Sequence, residues 1–64
     1  MDKIARVRLV DAELRMRGSS LEAWSARHGL TPDQVVEMAF GRRPMQVEAF
    51  SELRDDLGID LAVA

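Results

Sequence analysis

A group of polar side chains in the middle of the chain suits the recognition of another molecule. The amide of Gln34 offers a donor beside an acceptor, which is the pattern that pairs with the edge of an adenine base. Arg42 and Arg43 follow, and adjacent guanidinium groups bind phosphate oxygens well. The other members of the group, each able to form hydrogen bonds, are Thr31, Asp33 and Glu37. These residue types indicate a site that binds another molecule through hydrogen bonds and charge.

The composition gives little support to catalysis or metal binding. The chain of 64 residues has no Cys and a single His, so it can form neither a disulfide nor a thiolate or His-cluster metal site. No Ser, His and Asp set and no pair of carboxylates in a plausible cleft is evident. We therefore expect no enzyme, no cofactor and no metal.

Hydropathy and charge restrict the partners of the chain. Its apolar runs are far shorter than the ~20 residues of a membrane span, and the N-terminus lacks a signal-peptide core, so we expect a cytoplasmic protein without a membrane partner. The net charge of −2 argues against non-specific coating of nucleic acid. Residues 1–43 contain eight basic and six acidic side chains, whereas residues 44–64 contain one basic and five acidic ones. A phosphate group would therefore be attracted to residues 1–43 and not to residues 44–64.

Helical periodicity dominates the sequence, which predicts an all-α fold. The first helix is expected to begin after Asp2 and to run to about Arg17, before Gly18. Its apolar stripe is Ile4, Val7, Val10 and Leu14. Ser19 and Glu22 then match a capping box, so a second helix is expected to start at Ser19 and to end at Gly29.

The third helix has the strongest start signal. Thr31 is a good N-cap, Pro32 suits the first helical position, and Gln34 completes a capping box. The helix is expected to end at Gly41, with Val35, Met38 and Ala39 on its inner face.

A fourth helix is predicted to open at Pro44 and to end at Gly58. Its apolar stripe is Val47, Phe50, Leu53 and Leu57. Residues 59–64 alternate apolar with small or polar side chains, which is typical of an extended arm or a frayed end. The absence of a linker or repeat predicts one domain over residues 1–64.

Residues 21–40 meet the steric requirements of a helix-turn-helix motif. Ser25 is the small residue that allows two helices to pack closely, Gly29 tolerates positive φ in the turn, and Leu30 is the apolar residue after it. Only His28 departs from the pattern, because an apolar residue is expected there. The positions that lock the helix crossing are occupied by Trp24, Val35 and Met38.

These residues resemble the lambda-repressor-like helix-turn-helix family, and within it the small phage regulators of the Ner type. The resemblance covers roughly residues 4–58 and is best over SLEAWSARHGLTPDQVVEMAFGRRP, residues 20–44. It implies a compact helix-turn-helix domain of four or five helices, with the motif at about residues 20–41. It also implies a homodimer that binds double-stranded DNA at a two-fold operator, as a repressor or other transcription regulator of phage or prophage type.

The resemblance also assigns roles to individual residues. The helix that begins at Thr31 would enter the major groove, where the residues facing the bases would be Thr31, Pro32, Asp33, Gln34 and Glu37. Ser20 would approach a phosphate at the start of the preceding helix. Arg42 and Arg43 would bind the DNA backbone just past the reading helix.

Two acidic residues distinguish this helix from most DNA-reading helices. Asp33 and Glu37 would face a phosphate-lined groove, which is unfavourable unless each accepts a hydrogen bond from cytosine or orients an arginine. The alternative is a protein-interaction module on the same scaffold, whose Val36, Glu37 and Phe40 would contact another polypeptide. A third hypothesis is an accessory factor that binds DNA only with a second protein.

The small size and the apolar tail indicate a dimer. A chain of this length buries only about 60% of its unfolded surface, so it gains much from a partner. Ile59, Leu61 and Val63 are apolar residues that no predicted helix covers. We therefore expect residues 59–64 to contribute to a dimer interface.

Deletion of residues 59–64 tests this expectation. The molar mass measured by light scattering should fall from that of a dimer to that of a monomer, because the deletion removes the apolar contact surface. An unchanged mass would exclude the tail from the interface.

Overall fold

The computed structural model describes residues 2–42 and 47–58, and all regular structure within them is helical. The elements are α1 (Lys3–Met16), α2 (Leu21–Arg27), α3 (Pro32–Ala39) and α4 (Val47–Leu57). None of these four helices is long and apolar enough to cross a membrane. The predictions for Arg43, Pro44 and the tail 59–64 lie outside the described residues.

One backbone motif ends α1, α2 and α3. In each case a glycine follows the C-cap, and the N–H of the next residue donates at 2.9 Å to the carbonyl five positions earlier. In the turn between α2 and α3, Leu30 donates to Ser25 while Gly29 adopts φ +68°. That left-handed conformation costs an L-residue about 1–2 kcal/mol, which explains the glycine.

The start of α2 differs from the sequence prediction. Its N-cap is Ser20, whose hydroxyl oxygen accepts the N–H of Ala23 at 3.1 Å, so the predicted capping box of Ser19 and Glu22 is wrong. The Ser19 N–H, which Glu22 would accept in that box, instead closes α1 by donating to Leu14. The helix therefore starts one residue later.

The core lies where the four helices meet, with α1 packed against each of the other three. Two predicted members of the apolar stripes lie outside it, because Ile4 is 64% exposed and Val47 is 77% exposed. Ile4 occupies the first turn of α1, where the helix extends past the core, whereas Val47 lies on the side of α4 opposite the buried Ala49. The buried apolar residues are Val10, Leu14, Leu21, Trp24, Val35, Val36, Met38, Ala39, Ala49, Leu53 and Leu57.

Asp11 joins α1 to the start of α2. One carboxylate oxygen accepts the N–H of Leu21 at 2.9 Å, and the other accepts the Nε–H of Arg15 at 2.7 Å. The hydrogen bond from Leu21, and after it the one from Arg15, holds the pKa of Asp11 below its usual range. A charged group thus fixes the first turn of a helix of only seven residues.

Asp11→Asn should lower the free energy of unfolding by about 1 kcal/mol at about pH 7, because an amide accepts these hydrogen bonds less strongly. The folded pKa lies below the unfolded value of about 3.9, so this stabilisation is present above that value and is lost as the pH falls through the folded pKa. Urea unfolding of parent and variant should therefore differ at neutral pH and converge near about pH 2.

The matched control for that experiment is Asp55→Asn, because Asp55 is an exposed acid on α4. Its free energy of unfolding should stay within about 0.5 kcal/mol of the parent. An equal loss for Asp11→Asn at both pH values would contradict the role given to the carboxylate.

Candidate nucleic-acid interface

One face of α3 packs into the core and the other face is open. The buried residues are Val35, Val36, Met38 and Ala39, which confirms the predicted inner face and adds Val36 to it. The residues predicted to face bases lie around the outer side and the first turn: Thr31, Pro32, Asp33 and Glu37 are exposed and Gln34 is half-buried. All five side chains are therefore accessible to solvent, Gln34 less than the other four.

A complete capping box fixes the first turn of α3, as the sequence predicts. The Thr31 hydroxyl oxygen accepts the backbone N–H of Gln34 at 3.2 Å, and Oε1 of Gln34 accepts the backbone N–H of Thr31 at 2.9 Å. Oε1 keeps a second lone pair, and the side-chain NH₂ of Gln34 remains a donor. Gln34 is thus held in one orientation with its donor group still able to bind.

Asp33 forms an ion pair with α1. The Nζ atom of Lys3 lies 3.1 Å from Oδ2 of Asp33, and both side chains are about two-thirds exposed, at 68% and 63%. Such an exposed pair contributes only about 0–1 kcal/mol to stability. Its main effect is local, because it neutralises one of the two acids on the outer face of α3.

Beside this ion pair, a cleft of about 110 Å³ separates the N-terminal part of α1 from α3. Val7 and Val36 supply its apolar lining. Its charged lining consists of three cations and two acids: Lys3, Arg6, Arg42, Asp33 and Glu37. The second acid of α3 therefore shares a cleft with two arginines, so the charge on this side of α3 is mixed rather than acidic.

The backbone of Arg42 is fixed at the end of α3. Its N–H donates to the carbonyl of Glu37 at 2.9 Å, and the preceding Gly41 donates to Met38 at 3.0 Å. This hydrogen-bonded end holds Arg42 beside α3, where its exposed side chain lines the cleft. Arg43, the second predicted phosphate ligand, lies outside the described residues.

Ser20 is half-buried at the start of α2 and already accepts the N–H of Ala23. Its hydroxyl proton can still be donated to an oxygen. The neighbouring N–H of Leu21, however, is bound to the Asp11 carboxylate. The backbone at this helix start therefore offers a phosphate less than the sequence suggested.

A second, open depression borders the first turn of α3 on its α2 side. Val7, Leu21 and Pro32 form its apolar lining. The charged residues around it are Arg8, Asp11, Arg15 and Glu22. Val7 lines both this depression and the cleft, so the two adjoin each other along α1, and cations of α1 lie near the first turn of α3 in both.

Sequence reasoning assigned no role to Lys3, Arg6 or Arg8. Lys3 and Asp33 are 30 positions apart, and periodicity gives no information on such pairs. Only the packing of α1 beside α3 brings these side chains together.

The opposite end of α2 is occupied by structural contacts. The ring of His28 stacks on Trp24 with centroids 3.8 Å apart, and its Nδ1 lies 3.3 Å from Glu52. The indole N–H of Trp24 donates to Asp56. His28 therefore packs on Trp24, and no group of three potential metal ligands occurs in residues 2–42 and 47–58.

The surface suggested for a protein partner is not open. Val36 is buried and Phe40 is half-buried against the core, so of that group only Glu37 is exposed. The reason is that α4 and α1 both pack against α3.

Comparison with known proteins identifies no relative. No protein-family model, no characterised protein and no solved structure matches the chain. The function has to be inferred from the residues and geometry described above.

Thr31→Ala should lower the free energy of unfolding by about 1 kcal/mol, because the N–H of Gln34 loses its acceptor. Thr31→Ser keeps the hydroxyl and should stay close to the parent. Thermal unfolding followed by circular dichroism distinguishes them, and equal stability of all three proteins would contradict the capping role.

Proposed function

We propose that this chain is a sequence-specific DNA-binding transcription regulator of phage or prophage type, which inserts the first turn of α3 into the major groove. The observation that carries the proposal is the combination of an exposed polar first turn with cations of α1 beside it. The major groove is lined by phosphates, so cations are expected beside a helix that enters it.

The residues of the first turn have the chemistry for reading bases. Gln34 donates from its free NH₂ group and can accept through the second lone pair of Oε1, as an adenine contact requires. Thr31 and Pro32 precede it at the N-terminal end, which is the part of a reading helix that contacts base edges. Pro32 presents an apolar ring that can pack on a thymine methyl group.

Other residues are assigned to the sugar-phosphate backbone. Arg42 is held at the end of α3, and Ser20 retains a hydroxyl proton to donate. Arg43 extends this set in sequence. These contacts fix the position of α3 on the duplex without reading sequence.

The two acids of α3 are the main electrostatic obstacle to this function. Asp33 is paired with Lys3, and Glu37 lines a cleft that it shares with Arg6 and Arg42. The cations of the cleft outnumber its acids by three to two. The local balance is therefore compatible with a phosphate-lined groove, although the whole chain carries a charge of −2.

The homodimer is part of the same proposal. Two copies on a two-fold operator would place two α3 helices in successive major grooves, about 34 Å apart. The chain is small enough for a dimer contact to add usefully to its stability.

A second candidate function is a protein-interaction module on the same scaffold. It is favoured by the exposed acids of α3 and by the net charge, which together suit a basic partner. The apolar part of the surface first suggested for it is buried at Val36, so a partner would have to bind through charge at Asp33 and Glu37.

The deciding experiment is selection of the purified protein on a random duplex library, followed by sequencing, at two salt concentrations. An enriched two-fold motif whose affinity falls with salt supports the regulator. Absence of enrichment, with weak binding even at low salt, would overturn it and leave the interaction module.

Arg42→Ala should weaken binding to every sequence and reduce the slope of log affinity against log salt by about one unit, because one phosphate contact is lost. Gln34→Ala should instead relax the preference at one base position in each half-site. Both are measured by fluorescence anisotropy on the selected duplex.

The matched control is Arg17→Ala, because Arg17 lies at the opposite end of α1 from Lys3, about 20 Å away along the helix. Its salt slope should equal that of the parent, with circular dichroism confirming that each variant is folded. If Arg42→Ala and Gln34→Ala bind like the parent, the proposed orientation of α3 is wrong.

A further inference from the structure

The ion pair between Lys3 and Asp33 places a donor and an acceptor side by side on the outer surface. Nζ and Oδ2 are 3.1 Å apart, and both side chains are mostly exposed. Oδ2 of Asp33 keeps a further lone pair beyond the one that accepts from Lys3, and the ammonium group has two further protons. Each partner can therefore bind one more group while the pair stays intact.

The major-groove edge of a base pair offers the complementary arrangement. In a C·G pair the cytosine N4 amino group donates into the groove, and guanine O6 accepts from it. These two atoms are themselves hydrogen-bonded, so their separation is about 2.9 Å. On the protein, the donor Nζ of Lys3 and the acceptor Oδ2 of Asp33 are 3.1 Å apart, which matches this spacing. The hydrogen bond within the ion pair, the one within the base pair and the two between them can therefore form a closed ring of four.

We propose that Lys3 and Asp33 act as one unit that reads a C·G base pair. Asp33 accepts from the amino group of cytosine, and Lys3 donates to O6 and N7 of guanine. This inference rests on the proposed function, because it requires the first turn of α3 to lie in the major groove. It assigns α1 a base-reading role in addition to the phosphate contacts.

An A·T pair also presents an amino donor beside a carbonyl acceptor, but its flanking groups fit less well. The carboxylate of Asp33 would lie next to the adenine N7 acceptor, which repels it, whereas cytosine has no acceptor there. The ammonium of Lys3 would lie next to the thymine methyl group instead of guanine N7. Both differences favour C·G.

The orientation of the base pair follows from the fold. Asp33 belongs to α3 and Lys3 to α1, so the direction from acceptor to donor is fixed by the packing of these helices. The cytosine should therefore always lie on the α3 side, and the selected half-site should be asymmetric at this position. The pairing also explains how an acid is tolerated in a phosphate-lined groove.

The test is the same library selection, carried out with the parent, Asp33→Ala and Lys3→Ala. The parent should prefer C·G by about tenfold at one position in each half-site. Asp33→Ala should reduce that preference to about twofold or less, with the remaining positions unchanged. Lys3→Ala should reduce the discrimination of C·G from A·T in particular, because it removes the contact to guanine N7.

The matched control is Asp55→Ala, which removes an exposed acid from α4 and should retain the whole motif. If the parent selects a motif whose C·G preference survives in Asp33→Ala, the base-reading unit is overturned while DNA binding stands. If the parent selects no motif, both proposals are overturned.

Discussion

The burial of Trp24 is the constraint on which the rest of the structure depends. Its side chain is fully buried, so its indole N–H needs an acceptor within the protein, and Asp56 of α4 supplies it. The same ring stacks on His28, which approaches Glu52 of α4. These contacts hold α4 to α2 at one end of α2, while Asp11 of α1 fixes the other. A seven-residue helix would not be stable without them.

With α2 held in this way, the turn at Gly29 determines where α3 lies, and the core determines which residues of α3 point outward. Half of α3 is buried, so its recognition chemistry is limited to the first turn and Glu37. That surface carries two acids, which a DNA-binding protein has to compensate. The cations that border it come chiefly from α1, so in the proposed function α1 supplies charge as well as packing.

The parts of the fold that depend on local chemistry could be predicted from the sequence. The cap at Asp2, the capping box of Thr31 and Gln34, and the glycine after each helix all involve residues within a few positions of each other. Periodicity likewise identified the inner face of α3. Periodicity indicated which side of a helix faces the core, but not how far along the helix the core extends. Ile4 was therefore wrongly assigned to the core.

Features that depend on two distant segments could not be predicted in this way. Ser20 and not Ser19 caps α2, and the Ser19 N–H belongs to the hydrogen-bonded end of α1. In the candidate site, the exposure of the α3 residues followed from the pattern, whereas the ion pair of Lys3 with Asp33 did not. Its partners are brought together only by the packing of α1 against α3.

The central claim is that the outer surface of α3, with its flanking cations, contacts DNA. The most direct test is amide chemical-shift mapping of ¹⁵N-labelled protein during titration with the selected duplex at low salt. The largest shifts are expected on residues 31–37, Lys3 and Arg42, while the exposed residues Glu48 and Asp55 of α4 should remain unchanged. Shifts confined to α4, or no shifts at all, would contradict it.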